Sequence, residues 1–288
     1  MMEAAKDIAV VQPKEESKST LRPARSFAPA WQKLKGSLTS VMLAAVGFAL
    51  VVGVWQYIAR THEDFPGPKA TMLVLWDMLR HPFYDNGPND KGIGIQAWLS
   101  LGRVFNGWII GSLIAIPVGL AMGSSRIVMG ILNPLVQIMR PVSPLAWFPI
   151  GLAIMKDSPK AVIFAIVVTS LWPTLINTMF GVSSLPDDYR NIARVYRFSR
   201  WKYISKVLIP FSLPHIFTGL RLSMGIAWVV IVAGEMLAGG TGIGYFVWDS
   251  WNALSLEKVI SAILIIGSIG FALDRGLEWM VRRVSYTA

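Results

Sequence analysis

Six apolar segments recur along the chain, and each is long enough to cross a membrane as a helix. Their approximate bounds are 38–58, 97–122, 130–155, 161–181, 214–237 and 258–280. A helix that crosses about 30 Å of hydrocarbon needs about 20 mostly apolar residues. The third segment is interrupted by Pro134, Pro141, Pro144 and Pro149. The pattern therefore predicts an all-α fold, a polytopic membrane helical bundle with about six transmembrane helices.

Polar segments separate and precede these spans. Residues 1–36 are too polar to bury an apolar core, so we expect a disordered tail followed by a transmembrane domain over 37–288. The loop 60–96 contains one amphipathic helix, because Met72, Leu75, Trp76 and Leu79 repeat at helical spacing. We expect that helix to lie on the membrane surface.

Composition supports a membrane protein. Of the 288 residues, 53% are hydrophobic and only 15% are charged, against about 25% charged in ordinary soluble domains. The chain has no Cys, which excludes disulfides and thiolate metal sites. The net charge of +10 could indicate nucleic acid binding, but the distribution of the charge favours membrane lipid as the neighbour and no nucleic acid.

Lys and Arg in the loops predict the orientation of the spans. With the amino terminus inside, the inner segments hold sixteen of these residues and the outer segments hold five. Because cytoplasmic loops carry the excess of positive charge, both termini are expected in the cytoplasm. The loop 60–96 is then periplasmic and the loop 183–211 is cytoplasmic.

The loop 183–211 has the local signals of two short helices. Asp187 begins the first after Pro186, Ser199 is a good N-cap for the second, and Pro210 and Pro214 are expected to end it. One interpretation is a solvated basic loop that only sets the topology. The other is a docking device, since exposed aromatic residues on two amphipathic helices suit a protein groove.

This loop resembles the EAA loop of ABC importer permeases. That pattern has Glu-Ala-Ala, a Gly four positions after the second Ala, and a later aliphatic-x-Leu-Pro run. Here the frame begins at Asn191, Ala193 matches, Arg197 replaces the Gly, and Pro210 ends the run. The resemblance implies a coupling helix that inserts into an ATPase subunit, with these coupling residues: Asn191, Ala193, Arg194, Arg197, Ser199, Trp201 and Pro210.

The segments 189–228 and 234–252 look like the nitrate/sulfonate/bicarbonate branch of these permeases. The resemblance implies a type I ABC importer permease in the bacterial inner membrane. Its implied partners are two ABC ATPase subunits, a second copy of the permease, and a periplasmic or lipid-anchored substrate-binding protein. The implied substrate is a small inorganic anion, with nitrate or nitrite first, and bicarbonate, cyanate, or alkanesulfonate and taurine as alternatives.

The chain itself is not expected to be an enzyme or to hold a cofactor. It contains no G-x-x-x-x-G-K-[ST] motif, so ATP and Mg would be bound by the partner ATPase subunits. The run GGTGIG at 239–244 has no preceding strand and no following Lys. It predicts a glycine turn before a short helix.

Ionisable residues inside spans are costly and become candidates for a substrate path. They are Arg103, Arg140, Arg221, Glu235, Asp274 and Arg275. Arg140 ranks first because it lies in the proline-broken span, where free N–H groups and a guanidinium could bind an anion. The candidate path comprises Arg140, Gln137, Ser143, Thr169, Asn177, Met224, Trp228 and Glu235. The plainer alternatives are helix packing for Met224 and Trp228, and a loop contact for Glu235.

Three other functions fit the sequence less well. An ion-coupled secondary transporter would be expected to show an internal repeat and several intramembrane carboxylates, and no repeat is evident. A membrane enzyme would need catalytic spacing, whereas His62, His81 and His215 are scattered. A passive scaffold explains neither the docking loop nor the prolines.

Overall fold

The computed structural model describes residues 30–87 and 90–285, and most of the predicted tail, residues 1–29, lies outside them. The first helix begins at Ala30 rather than near 38. The helices in chain order are α1 (Ala30–Thr61), α2 (Pro68–Arg80), α3 (Ile93–Ser124), α4 (Arg126–Met139), α5 (Trp147–Met155), α6 (Ser158–Ser183), α7 (Asp187–Val195), α8 (Arg200–Tyr203), α9 (Ile209–Ala238), α10 (Ile243–Asn252) and α11 (Leu256–Ser285). The predicted all-helical fold is confirmed.

The chain divides into two units between Val54 and Trp55. The first unit contains the start of α1, and its described side chains from Val41 to Val51 are exposed. The second unit contains the end of α1 and all the other helices. Its amino-terminal corner is tied by Trp55, whose indole donates to the carbonyl of Pro66 over 2.9 Å.

Within residues 30–87 and 90–285, five helices are long and apolar enough to cross a membrane, or six if one bent pair counts as a span. The bent pair is the predicted third span, in which α4 and the segment Pro144–Met155 meet at 94°. Arg140 caps the end of α4, and a short 3-10 turn from Pro144 to Ala146 leads into α5. The prolines therefore break this span at its middle, as the sequence predicted.

α6 is the central helix, and α3 lies unusually close to it. Four glycines of α3 face α6 at multiples of four residues: Gly107, Gly111, Gly119 and Gly123. A Cβ atom added at Gly119 would lie 2.8 Å from the carbonyl oxygen of Leu175 and 2.8 Å from Cβ of Thr178. Small residues let two backbones approach in this way, as is common between membrane helices.

α9 packs against both α6 and α3. Val104 of α3, Ile166 of α6 and Ile231 of α9 are completely buried in one apolar cluster. Hydroxyl groups also cross the contact, since Thr174 and Ser223 lie 3.0 Å apart. Together α3, α6 and α9 form the core, on which α4, α5, α10 and α11 pack, while α2 packs mainly on α11.

The loop between α2 and α3 is closed by a charged contact. The ammonium of Lys91 donates to Asp85 and lowers the pKa of that carboxyl. α2 itself is the predicted amphipathic helix. Its Thr71 carbonyl accepts a hydrogen bond from Ser261 of α11 over 3.2 Å, while Met72, Trp76 and Leu79 remain exposed. Its place on a membrane surface stays a prediction.

One sequence prediction about the helices is wrong. Pro210 and Pro214 do not end the helix that Ser199 begins, because the chain stays helical from Arg200 to Ala238. The segment Ile204–Leu208 is a π turn, in which the N–H of Ile209 bonds to the carbonyl of Ile204. This wider turn accommodates the missing N–H and the ring of Pro210, which would otherwise break a regular helix.

Substituting Gly119 with alanine should destabilise the domain by about 1–3 kcal/mol, because neither a backbone carbonyl nor a β-branched Thr178 can yield freely. Thermal unfolding of the purified protein in detergent measures the change. The matched control is Gly102→Ala in the same helix, where an added Cβ meets nothing within 4 Å and alanine favours the helix by about 1 kcal/mol. Equal unfolding temperatures for the two variants would contradict the close α3–α6 contact.

Candidate anion cavity and basic loop

A cavity of about 340 Å³ lies between the broken span, α6 and α9. Arg140 stands on its wall beside Trp147 and Trp172, and Leu222 and Ile226 of α9 complete the wall. Arg140 forms no ion pair within residues 30–87 and 90–285, whereas Arg103, Arg221 and Arg275 each pair with a carboxylate. Arg140 is exposed and lines the cavity, and it has no counter-charge from the described chain.

Two further residues of the predicted path line the same cavity. Thr169 and Asn177 both face it from α6. The hydroxyl of Thr169 donates to the carbonyl of Ala165, and the amide of Asn177 donates to the carbonyl of Pro173. One N–H of the Asn177 amide is then left for a ligand. Gln137 and Ser143 are exposed and do not line the cavity.

Met224 and Trp228 lie elsewhere, in the apolar core. Their exposed fractions are 2% and 5%, and both belong to the cluster that joins α3, α6 and α9. The indole N–H of Trp228 donates to the carbonyl of Ile266 on α11 over 3.0 Å. The structure therefore favours the packing alternative for this pair.

Glu235 also has a structural position. It is 1% exposed and accepts hydrogen bonds from Ser100 and from Nη1 of Arg103, the latter over 2.6 Å. Its carboxylate also accepts from the backbone N–H of Gly244 over 3.0 Å. The guanidinium of Arg103 also donates hydrogen bonds to the carbonyl and to the hydroxyl oxygen of Thr241.

These contacts fasten the glycine turn 239–244, which leads into α10 as predicted. Gln96 adds another contact, since its side-chain oxygen accepts from the N–H of Gly242 over 2.6 Å. Sequence reasoning missed Gln96 and Ser100. Their signal is the spacing of Gln96, Ser100 and Arg103, which puts three polar side chains on one face of an apolar helix.

The basic loop between α6 and α9 has the predicted start and cap. α7 begins at Asp187, and the hydroxyl of Ser199 accepts from the N–H of Lys202 over 3.3 Å. α7 ends in a Schellman motif, because Phe198 N–H bonds to the carbonyl of Ala193 and Arg197 N–H bonds to that of Arg194. Arg197 has a φ of 47°, the left-handed conformation that usually takes glycine at this position.

The exposed face of the loop is apolar. Ile192, Val195 and Tyr196 at the end of α7 and Trp201 of α8 are between 53% and 80% exposed. Asn191 is exposed on the same helix, whereas Ala193 is only 6% exposed. Ala193 is therefore buried inside the turn, and a docking partner would contact the exposed residues next to it, such as Ile192 and Val195.

Four arginines surround a hollow of about 400 Å³ on the other side of this loop. They are Arg190, Arg194, Arg197 and Arg200. Pro210 lies beyond them, in the helix that continues into α9. The seven predicted coupling residues thus lie in one segment, in which α7, a turn, α8 and the start of α9 follow one another.

Comparison with known proteins places these features in a family. Residues 109–286 match the model described as "Binding-protein-dependent transport system inner membrane component". The nitrate import permease protein NrtB of Synechococcus elongatus is 40% identical over 273 residues, which are 92% of this chain and 98% of that protein. The bicarbonate transport system permease protein CmpB of the same species is 39% identical over 255 residues, 87% of this chain and 92% of that protein.

A solved structure shares the fold. The structure titled "Inward facing conformations of the MetNI methionine ABC transporter" aligns with a TM-score of 0.59 at 16% identity. The alignment covers 74% of this chain and 98% of the solved chain. This likeness supports the architecture of the helices alone.

Replacing Arg197 with glycine should stabilise the turn by about 1 kcal/mol, because a side chain costs that much in the left-handed conformation. Hydrogen exchange of the Phe198 amide should then slow by about fivefold. Arg194→Gly is the matched control, since Arg194 is in regular α7 and glycine costs about 1 kcal/mol there. Faster exchange in both variants would contradict the strained turn.

Proposed function

Because the chain belongs to the family of binding-protein-dependent transport system inner membrane components, we propose that it is the permease subunit of an ATP-driven nitrate importer. The observation that carries an anion as substrate is Arg140, a cation without an ion-pair partner in the described chain, on the wall of a cavity between three elements. A guanidinium forms two parallel hydrogen bonds with a planar oxyanion. Thr169 and Asn177 of α6 provide further polar atoms on the wall of the same cavity.

Bicarbonate is the second candidate. Nitrate and bicarbonate are both small, planar and monovalent, so the guanidinium of Arg140 suits either. Relatives named for nitrate import are 39–40% identical to this chain, against 38–39% for those named for bicarbonate transport. Nitrate is therefore placed first, and the selectivity is assigned mainly to a separate binding protein.

The coupling partners are proposed to be two ATPase subunits, which bind ATP and Mg and hydrolyse the nucleotide. The apolar face formed by Ile192, Val195, Tyr196 and Trp201 supports docking in a protein groove rather than exposure to water. Asn191, Arg194, Arg197 and Ser199 shape this segment. ATP binding would move the two loops and turn the permease from inward- to outward-facing.

A second copy of the permease is proposed to complete the path. Leu222, Ile226 and Val229 form an exposed apolar row on α9, next to the cavity of Arg140. A periplasmic or lipid-anchored binding protein would deliver the anion on the opposite side from the ATPases. The excess of Lys and Arg in the predicted inner loops supports an inner-membrane protein with both termini in the cytoplasm.

Substituting Arg140 with glutamine should reduce ATP-driven nitrate uptake by about 10- to 100-fold, the range expected for losing a charged hydrogen-bond donor. Arg140→Lys should retain part of the activity because it keeps the charge. Uptake is measured in vesicles that contain the permease, its ATPases and the binding protein. Arg126→Gln, at the other end of α4, is the control and should transport normally.

Wild-type uptake in the Arg140→Gln variant would remove this residue from the path. Import of bicarbonate instead of nitrate by the wild-type vesicles would move the substrate to the second candidate.

Val195→Asp should detach the ATPase subunits, because Val195 is 78% exposed at the centre of the apolar face and a carboxylate there would be buried without a partner. We expect at least a tenfold loss of co-purified ATPase and of nitrate uptake. Leu254→Asp is the control, since Leu254 is 86% exposed in the turn between α10 and α11. If equal amounts of ATPase co-purify with both variants, the loop does not dock the ATPase and only sets the membrane topology.

A further inference from the structure

A second cavity adjoins the one that contains Arg140. Its volume is about 580 Å³, and the two cavities share the wall formed by Pro144, Leu222 and Ile226. The far side of the second cavity is formed by Arg221 of α9 and Asp274 of α11. Each cavity is therefore lined by one arginine, and a single wall separates them.

Arg221 and Asp274 form a bidentate pair. Nε of Arg221 donates to Oδ1 of Asp274 and Nη2 donates to Oδ2, both over 2.7 Å. The pair is not sealed, because 35% of the Arg221 side chain and 47% of the Asp274 side chain are exposed. Nη1 of Arg221 has no hydrogen bond among the described residues, so one edge of the guanidinium is available to a ligand.

The surrounding charges leave this group slightly cationic. Nη2 of Arg221 lies 3.6 Å from Glu278, and Glu278 also pairs with Arg275 and Arg282. Three arginines thus share two carboxylates. The rest of the cavity wall is mainly apolar, so an anion in the cavity would find its hydrogen-bond donors at Arg221.

We propose that the Arg221–Asp274 pair is a second binding station for the small oxyanion that Arg140 binds. This inference rests on the proposed import function and assigns a further residue pair to its path. Asp274 has a distinct role, because it compensates most of the charge of Arg221 and keeps the station weak. A path conducts only if each site binds well enough for entry and weakly enough for release.

The plain alternative is that the pair only joins α9 to α11. The two roles differ in their response to removal of the carboxylate charge. If the pair only joins the two helices, removing the carboxylate charge should lower the thermal stability and leave the anion affinity unchanged. A weak station predicts tighter anion binding and slower release, since Arg221 would then carry an uncompensated charge.

Asp274→Asn tests this difference. Nitrate binding to the purified permease–ATPase complex, without binding protein, is titrated alongside nitrate uptake in vesicles. We expect about a tenfold lower dissociation constant, equivalent to about 1.4 kcal/mol, together with uptake at least about threefold slower at saturating nitrate. Unchanged affinity and unchanged uptake per folded complex would overturn the second station.

The double variant Arg221→Gln/Asp274→Asn keeps two hydrogen-bonding side chains and removes both charges. We expect it to fold, to bind nitrate more weakly than Asp274→Asn, and to import at least about fivefold more slowly than the wild type. Wild-type import by this variant would overturn the proposal. Arg126→Gln, which lies outside this charged network and lines neither cavity, is the control and should import normally.

A wild-type complex that imports no nitrate would refute the proposed function itself. If the wild type imports nitrate normally and the Arg221 and Asp274 variants have unchanged nitrate affinity and uptake, only the second station is refuted.

Discussion

The close contact between α3 and α6 is the constraint on which the rest of the second unit depends. Membrane helices gain little from hydrophobic burial against one another, so they associate through close packing and polar contacts. Gly107, Gly111, Gly119 and Gly123 remove the side chains that would keep the two backbones apart. With α3 fixed against α6, α9 packs against both helices. The broken span then closes a cavity against both α6 and α9.

The arginines of the spans differ in how they are paired and in how far they are buried. Arg103 is satisfied by Glu235 and Thr241, which fasten the glycine turn before α10. Losing one partner of such a buried pair costs about 3–5 kcal/mol. The Arg103–Glu235 pair therefore holds the glycine turn firmly against α3 and α9. Arg140 is exposed, has no such partner in the described chain and lines a cavity, so its guanidinium is accessible to an anion.

The sequence predicted the long-range periodicities and the local caps, but not the contacts between distant segments. Apolar length located the spans, and the hydroxyl of Ser199 marked the start of α8 correctly. The pairing of Arg103 with Glu235 joins positions 132 residues apart, and nothing local to either residue encodes it. Pro210 was misread as a helix end because a π turn, which depends on hydrogen-bond register rather than on residue type, absorbs it.

The unbroken helix from Arg200 to Ala238 links the basic loop to both cavities. Trp201 is exposed at its beginning, and Arg221 lies about 30 Å further along at 1.5 Å per residue. Because the helix is unbroken, a displacement of Trp201 is passed along it to Leu222 and Ile226, less any bending at the π turn that lies between them. Because those two residues form the wall shared by the cavities, movement of the loop would change both cavities together. The π turn at Ile204–Leu208 is where this helix can bend, and it therefore determines how much of the loop's movement reaches the cavities.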